Sequence, residues 1–173
     1  MSRAPRRHSG FTFIELIIVM VLLGILAAAG STLIRDAMLA GRFSMLNHSS
    51  GSQARYAMER VVREIREMKY GTLGYEITTM QAANLSFTKK DGTVVSITSA
   101  APNLNMQYNP GATAVLTNQL NTNGIAFAYY DIVGAPTTDK QEVRFIQVTL
   151  TLRNTVTGTT DTQRSRVFLR NAA

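Results

Sequence analysis

Cysteine is absent from this chain, and so is tryptophan. The first absence rules out a disulfide framework and thiolate chemistry, so the fold must be held by strand pairing and packing alone. Histidine occurs only as His8 and His48, which make no credible metal pair. Proline is missing from Phe11 up to Pro102, a span long enough for an unbroken helix. Charge is missing over a shorter stretch: from Phe11 to Ile34 the only ionisable side chain is Glu15. No Gly-rich phosphate loop, nucleophile elbow or carboxylate pair beside a base occurs. The residues therefore offer no constellation for an enzyme, and none for a resident cofactor or metal.

What is present begins with that uncharged run. Read as helix at ~1.5 Å per residue, it is long enough to cross a bilayer core of ~30 Å. Arg3, Arg6 and Arg7 precede it, which orients the N-terminus to the cytoplasm and the remainder outward. A cleaved secretory signal is the rival reading, and Ala27-Ala-Ala-Gly-Ser31 supplies the small residues it needs. Against it, the apolar run is longer than such a signal requires and continues into Leu33-Ile34. A carboxylate near its start is also costly in lipid, and an intramembrane charge marks a functional site that calls for a cationic partner.

Gly10-Phe11-Thr12-Phe13-Ile14-Glu15-Leu16-Ile17-Ile18-Val19 closely resembles the cleavage and methylation motif of type IV prepilins and type II secretion pseudopilins. The resemblance implies a membrane aspartyl peptidase, the prepilin peptidase, that cuts after Gly10 and methylates the new N-terminal Phe11. It implies that Glu15 is the filament-assembly carboxylate. The partners it implies are other pilin or pseudopilin subunits, an inner-membrane assembly platform, and membrane lipid before assembly. Many major pilins of the family close a C-terminal loop with a disulfide and kink the membrane helix at a proline. This chain can do neither, and Gly24 and Gly30 are its candidate soft points.

Four segments follow: a leader over 1–10, a transmembrane segment over 11–34, a periplasmic continuation of the same helix over 35–70, and a sheet domain over 71–173. The formal charge of +7 falls by three, to +4, once the leader arginines are removed. The remaining Lys and Arg are scattered, which speaks against nucleic acid as a partner. Asn47-His-Ser-Ser-Gly-Ser52 is rich in residues that compete for backbone hydrogen bonds, so it reads as a break, a kink or a tolerated polar turn. Beyond it, Gln53–Lys69 is amphipathic. Ala54, Ala57, Met58, Val61, Ile65 and Met68 form the packing stripe, with Arg55, Glu59, Arg60, Arg63, Glu64, Arg66 and Glu67 on the other face. Glu59–Arg63, Arg60–Glu64 and Arg63–Glu67 are spaced for helical ion pairs, and Tyr70-Gly71 for the stop.

From about Ile77 the period becomes two. Leu85–Ile97 carries Asp91-Gly92, the signature of a type I′ hairpin. Further strands are predicted over Asn103–Tyr108, Ile125–Asp131, Glu142–Arg153 and Gln163–Arg170, with a turn at Asn109-Pro110-Gly111; Ala112–Leu120 is ambiguous. Asp131 and Asp139, with Pro136 between them, lack a calcium-loop pattern and read as turn formers. The fold class is α+β: one long N-terminal helix packed on an antiparallel sheet, an arrangement that resembles the pilin fold. The charged helix Arg60–Glu67, Tyr129-Tyr130-Asp131 and Arg170-Asn171 also resemble parts of minor pilins and J-type pseudopilins of type II secretion.

The expected function is thus a filament subunit, minor pilin or pseudopilin. It would sit in a bacterial inner membrane with its C-terminal domain in the periplasm, and then enter a pilus-like filament. The alternative is a filament-tip module that binds DNA, carbohydrate or an exported substrate, for which Tyr129-Tyr130, Arg164 and Arg166 are the candidate contacts. A periplasmic enzyme behind an anchor has no supporting residues.

Overall fold

Helix α1 runs from Phe13 to Arg66 in the computed structural model, which describes residues 12–170 apart from the side chain of Asn47. Thr12 starts it: the Glu15 amide donates to Thr12 Oγ1 at 3.4 Å and the Leu16 amide to the Thr12 carbonyl at 3.2 Å. This is an N-cap, and Glu15 stands three residues on, as in a capping box. The chain divides into two units, Met1–Ser44 and Met45–Ala173. In the first, α1 is apolar on all sides and long enough to cross a membrane, with Ile14, Leu26 and Leu33 among its exposed side chains.

In the second unit the same helix becomes striped. Ala54, Ala57, Met58, Val61, Val62 and Ile65 are buried, and so is Met68 just beyond its end. Three antiparallel sheets share that core. A two-stranded ladder pairs β1 (Tyr70–Gly71) with β2 (Gly74–Tyr75). A five-stranded meander follows in chain order: β3 (Ile77–Met80), β4 (Asn84–Thr88), β5 (Val94–Ala100), β6 (Asn103–Asn109) and β7 (Thr113–Thr117). The third sheet has the order β10-β9-β8, from β8 (Leu120–Tyr130), β9 (Phe145–Arg153) and β10 (Thr160–Phe168). Inward residues alternate as a half-buried sheet requires: Ile146, Val148, Leu150 and Leu152 on β9 are buried, with partly exposed neighbours between them. The α+β arrangement is the expected one, although the strands form three sheets rather than one.

Several local expectations are decided or corrected. Of the three readings open for Asn47–Ser52, the structure shows the tolerated polar turn, inside an unbroken α1. Ser49 Oγ donates to the Leu46 carbonyl at 2.9 Å and Ser52 Oγ to the Ser49 carbonyl at 2.9 Å, so these hydroxyls are satisfied on the helix itself. The helix ends at Arg66 rather than Tyr70. There the Glu67 and Met68 amides close short turns on Glu64 and Ile65, while the Lys69 amide donates to Thr88 at 2.9 Å. The hairpin strand has captured the backbone, and Tyr70-Gly71 becomes a strand.

The Asp91-Gly92 turn is not type I′. That turn needs positive φ at both central residues, but only Gly92 has it, at 86°. Instead the Gly92 amide donates to Lys89 at 3.0 Å, and the Lys89 amide to Thr93 at 2.8 Å. This is a three-residue loop with glycine in the left-handed position, stabilised by Asp91 Oδ1 accepting the Thr93 amide at 2.9 Å. β9 begins at Phe145, because Arg144 is held in the preceding loop with its Nη1 donating to the Gln141 and Val143 carbonyls. The ambiguous stretch holds β7, whose first three residues are exposed, and the start of β8, so neither shows clean alternation. β8 also carries an irregularity between Leu120 and Ile125, where Asn123 has φ 55°. A Cβ on Gly124 would lie 2.4 Å from the Thr151 carbonyl, so only glycine fits there.

Candidate functional site

Three groups of residues carry the chemistry on this scaffold. The first is the start of α1. Gly10 and Phe11 lie outside the described residues. Glu15 is exposed in the first turn, where free amides and the positive end of the helix dipole favour a carboxylate. The run that follows is apolar and exposed as far as Ile34 (Gly30 alone is half-buried), and Gly24, Gly30 and Gly41 have no other atom within 4 Å of a built Cβ.

Residues 5–31 match the family described as the Prokaryotic N-terminal methylation motif. That match supports a type IV pilin-like precursor, and it spans the leader from Pro5 with Arg6 and Arg7, the Gly10-Phe11 junction, Glu15 and most of the apolar run. Prokaryotic inner-membrane anchoring is consistent with the motif together with one N-terminal apolar helix. A structural rather than catalytic role is likewise what the pilin-like match suggests. No curated protein and no solved structure matches the chain.

The second group is a charged cluster under the C-terminal end of α1, where the sequence reading misplaced a residue. Glu64 was expected on the solvent face but is buried, 4% exposed. Its Oε1 accepts from the Tyr108 hydroxyl at 2.9 Å and faces Arg60 Nε at 3.4 Å. Its Oε2 has no hydrogen bond of its own and faces Lys89 Nζ at 3.2 Å, so its compensation there is ionic. Lys89 also reaches Glu67 at 2.7 Å, so Glu67 pairs across the hairpin rather than along the helix. The hydrogen bond to Glu67, aided by Glu64, outweighs burial and holds the Lys89 ammonium well above its usual pKa. Burial, then the bond to Glu64, pushes the Tyr108 phenol up. The cluster joins α1 to the β4–β5 hairpin and to β6. Among the described residues no group of three or more His, Asp or Glu is placed to hold a metal ion.

The third group lies on the outward face of the three-stranded sheet. Of the expected contacts, Tyr129 is turned inward, with its hydroxyl donating to the Gln81 carbonyl at 3.0 Å, and burial pushes its phenol far up. Tyr130 faces out. Arg166 lies over it, with the guanidinium carbon 4.5 Å from the ring centre, and equally 4.5 Å from the ring of Phe145. Phe145 and Phe168 are themselves a cross-strand pair, 4.9 Å between centres. Arg164 is exposed on the same face. A cavity of about 510 Å³ beside them is lined by Arg66, Arg166, Phe168 and Arg170. Sequence reasoning missed Phe145, Phe168, Arg170 and Arg66 here. Arg164, Arg166, Phe168 and Arg170 recur every second residue, a pattern visible in the sequence; Phe145 and Arg66 join only through topology. Asp131 and Asp139 are turn formers, as expected: Asp131 Oδ1 accepts the Val133 and Ala135 amides, and Asp139 Oδ1 that of Gln141.

Proposed function

We propose that this chain is a minor pilin or pseudopilin, a structural subunit of a type IV pilus-like filament. In this reading prepilin peptidase cuts after Gly10 and methylates Phe11. The subunit then waits in the inner membrane, N-terminus cytoplasmic and C-terminal domain periplasmic. An assembly platform transfers it into the filament, where other pilin or pseudopilin subunits replace lipid around the apolar helix. Glu15 meets the Phe11 amine of a neighbouring subunit, and such a head-to-tail contact builds an open helical assembly.

The observation that carries this reading is the methylation-motif match at residues 5–31, continuous with a 54-residue helix whose far end is striped for a sheet domain. An exposed carboxylate in an apolar run supports the assembly role, because lipid penalises it until a cation arrives. Mass spectrometry of the mature N-terminus is the direct test. N-methylated Phe11 is the expected first residue, and any other first residue refutes the processing scheme. Glu15→Ala is expected to leave cleavage intact while reducing incorporation into filaments; normal incorporation would remove Glu15 from the assembly contact.

A further inference from the structure

We propose that the free edge of β10 takes up an extended acidic segment of another protein, added antiparallel as a fourth strand of the three-stranded sheet. This goes beyond filament assembly and does not rest on it. β10 is the outer strand in the order β10-β9-β8, and among the described residues no strand pairs with its far side. The phase of the ladder decides what that edge offers. The Asn154 amide donates to the Thr159 carbonyl and the Leu169 amide to the Arg144 carbonyl, both at 2.9 Å and in one continuous register. Antiparallel bonding alternates, so the odd-numbered residues of β10 bond to β9. Thr160, Thr162, Arg164 and Arg166 therefore turn their N–H and C=O groups to the free edge, which is what an incoming strand needs.

The side chains of the same residues set the chemistry of the partner. All four are exposed, and the two arginines stand at alternate positions on the outward face. Their register neighbours, Thr149 with Ala126 and Gln147 with Ala128, are uncharged. An added strand would place its own residues directly opposite Arg164 and Arg166, where carboxylates stabilise the pairing. Arg166 is already positioned for this, with its guanidinium 4.5 Å from the centres of both the Tyr130 and Phe145 rings. A planar cation resting on rings has little rotamer freedom left to lose. A second copy of this chain is the wrong occupant. Two β10 strands paired about Arg164 or Ser165 would set arginine opposite arginine, which is destabilising. Nor does any other outer strand among the described residues, β1, β2, β3, β7 or β8, carry a carboxylate. The charges that guard this edge against its own copy thus select an acidic strand from elsewhere.

The test is fluorescence anisotropy of short, capped, dye-labelled peptides with the full chain in a zwitterionic detergent. A peptide alternating Glu and Thr is expected to bind saturably, and its Lys-Thr counterpart not to bind. In antiparallel pairing with Glu opposite arginine, the Glu amides face β10 and the Thr amides face solvent. N-methylation of the Glu amides should therefore abolish binding, while N-methylation of the Thr amides should preserve it. Arg164→Glu turns an attractive cross-strand pair into a repulsive one and should weaken binding roughly tenfold. Lys90→Glu makes the same charge change on the exposed turn of the β4–β5 hairpin and should alter affinity less than ~threefold. Thr162→Pro removes an edge N–H that an outer strand can lose without unfolding, and should also abolish binding. Near-ultraviolet circular dichroism of each variant separates loss of the edge from loss of the fold. No saturable binding of the Glu-Thr peptide would overturn the proposal. So would binding that survives methylation of its Glu amides, or equal weakening by Arg164→Glu and Lys90→Glu. A single-stranded oligonucleotide of the same charge that binds as tightly as the peptide would assign the surface to nucleic acid and overturn it too.

Discussion

Replacing Lys89 with methionine removes the cation that faces the buried edge of Glu64 while keeping most of the side chain's bulk. At 3.2 Å, and with an effective dielectric of ~20, the Lys89–Glu64 attraction is about 5 kcal/mol. Both groups are well withdrawn from water, at 13% and 5% side-chain exposure, so solvent screens little of this. The loss is not total, because Arg60 and the Tyr108 hydroxyl still face Oε1. An uncompensated buried charge typically costs ~3–5 kcal/mol, and the lower end applies here. In thermal unfolding of the full chain in detergent, followed by near-ultraviolet circular dichroism, Lys89→Met should lower the midpoint by roughly 10 °C. The decisive variant is Lys89→Met combined with Glu64→Gln, which removes the stranded charge but can still accept from Tyr108. It should recover most of the loss. A single-variant loss below about 1 kcal/mol, or a double variant no better than the single, would show that Glu64 does not depend on Lys89.

Tyr129 is held protonated by burial, so its folded pKa lies above its unfolded value of ~10; the stability it contributes is complete below that pH and is lost as pH rises beyond it. Lys89, also raised, has the same sign, with its loss beginning above ~10.5. Stability should therefore be insensitive to both groups between pH 7 and 9 and fall above ~10, with a shallower fall in Tyr129→Phe by denaturant titration. Gly124→Ala places a methyl group against the Thr151 and Asn121 carbonyls and should destabilise by at least ~1–3 kcal/mol in the same titration. Asn154→Ala removes two hydrogen bonds, to the Leu46 carbonyl at 3.0 Å and to Ser50 Oγ at 2.9 Å, and should cost ~1–3 kcal/mol at ~0.5–1.5 kcal/mol each. Hydrogen exchange should then rise first at the amides of the Ser50 turn.

The parts of the fold that could be read in advance are those where one local signal decides. Each of Ala54, Ala57, Met58, Val61, Ile65 and Met68 is buried, because helical spacing of apolar residues leaves a single face to bury. The alternating run from Ile146 to Leu152 likewise gave its inward face directly. What stayed open or was misread depended mostly on distant partners. Asn47–Ser52 left a break, a kink or a tolerated polar turn open because its donors compete with the backbone. It stays helical because Ser50 donates to Gln119 Oε1 at 2.9 Å and Asn154 donates back to Ser50, partners about seventy and a hundred residues away. Glu64 looked exposed because its neighbours in sequence are charged. Lys89 and Tyr108, which make its burial tolerable, come from two separate strands or turns. Asp91-Gly92 was a sound hairpin signal, but which residue takes positive φ depends on loop length. Of the candidate site, the motif at Gly10, Phe11 and Glu15 was legible because it is contiguous. The arginine cavity was half legible through its alternation on β10 and otherwise depended on the Phe145 register.

Two carboxylates on α1 show how position along a helix decides what an acid needs. Glu64 lies near the C-terminal end, where the dipole disfavours an anion, and it is buried. Both effects are unfavourable, and the structure answers with Arg60, Lys89 and the Tyr108 hydroxyl around a single side chain. Glu15 lies at the other end, where Thr12 caps the first turn and the dipole favours negative charge by ~0.3–1 kcal/mol. In water that is sufficient and no cation is required. In hydrocarbon it is not, since a charge at depth costs ~2.5 kcal/mol or more. The residual deficit is what a cation from a neighbouring chain would remove. A carboxylate content in water and deficient in lipid makes the proposed exchange of lipid for other subunits favourable at that residue, before any packing of the apolar surface is counted.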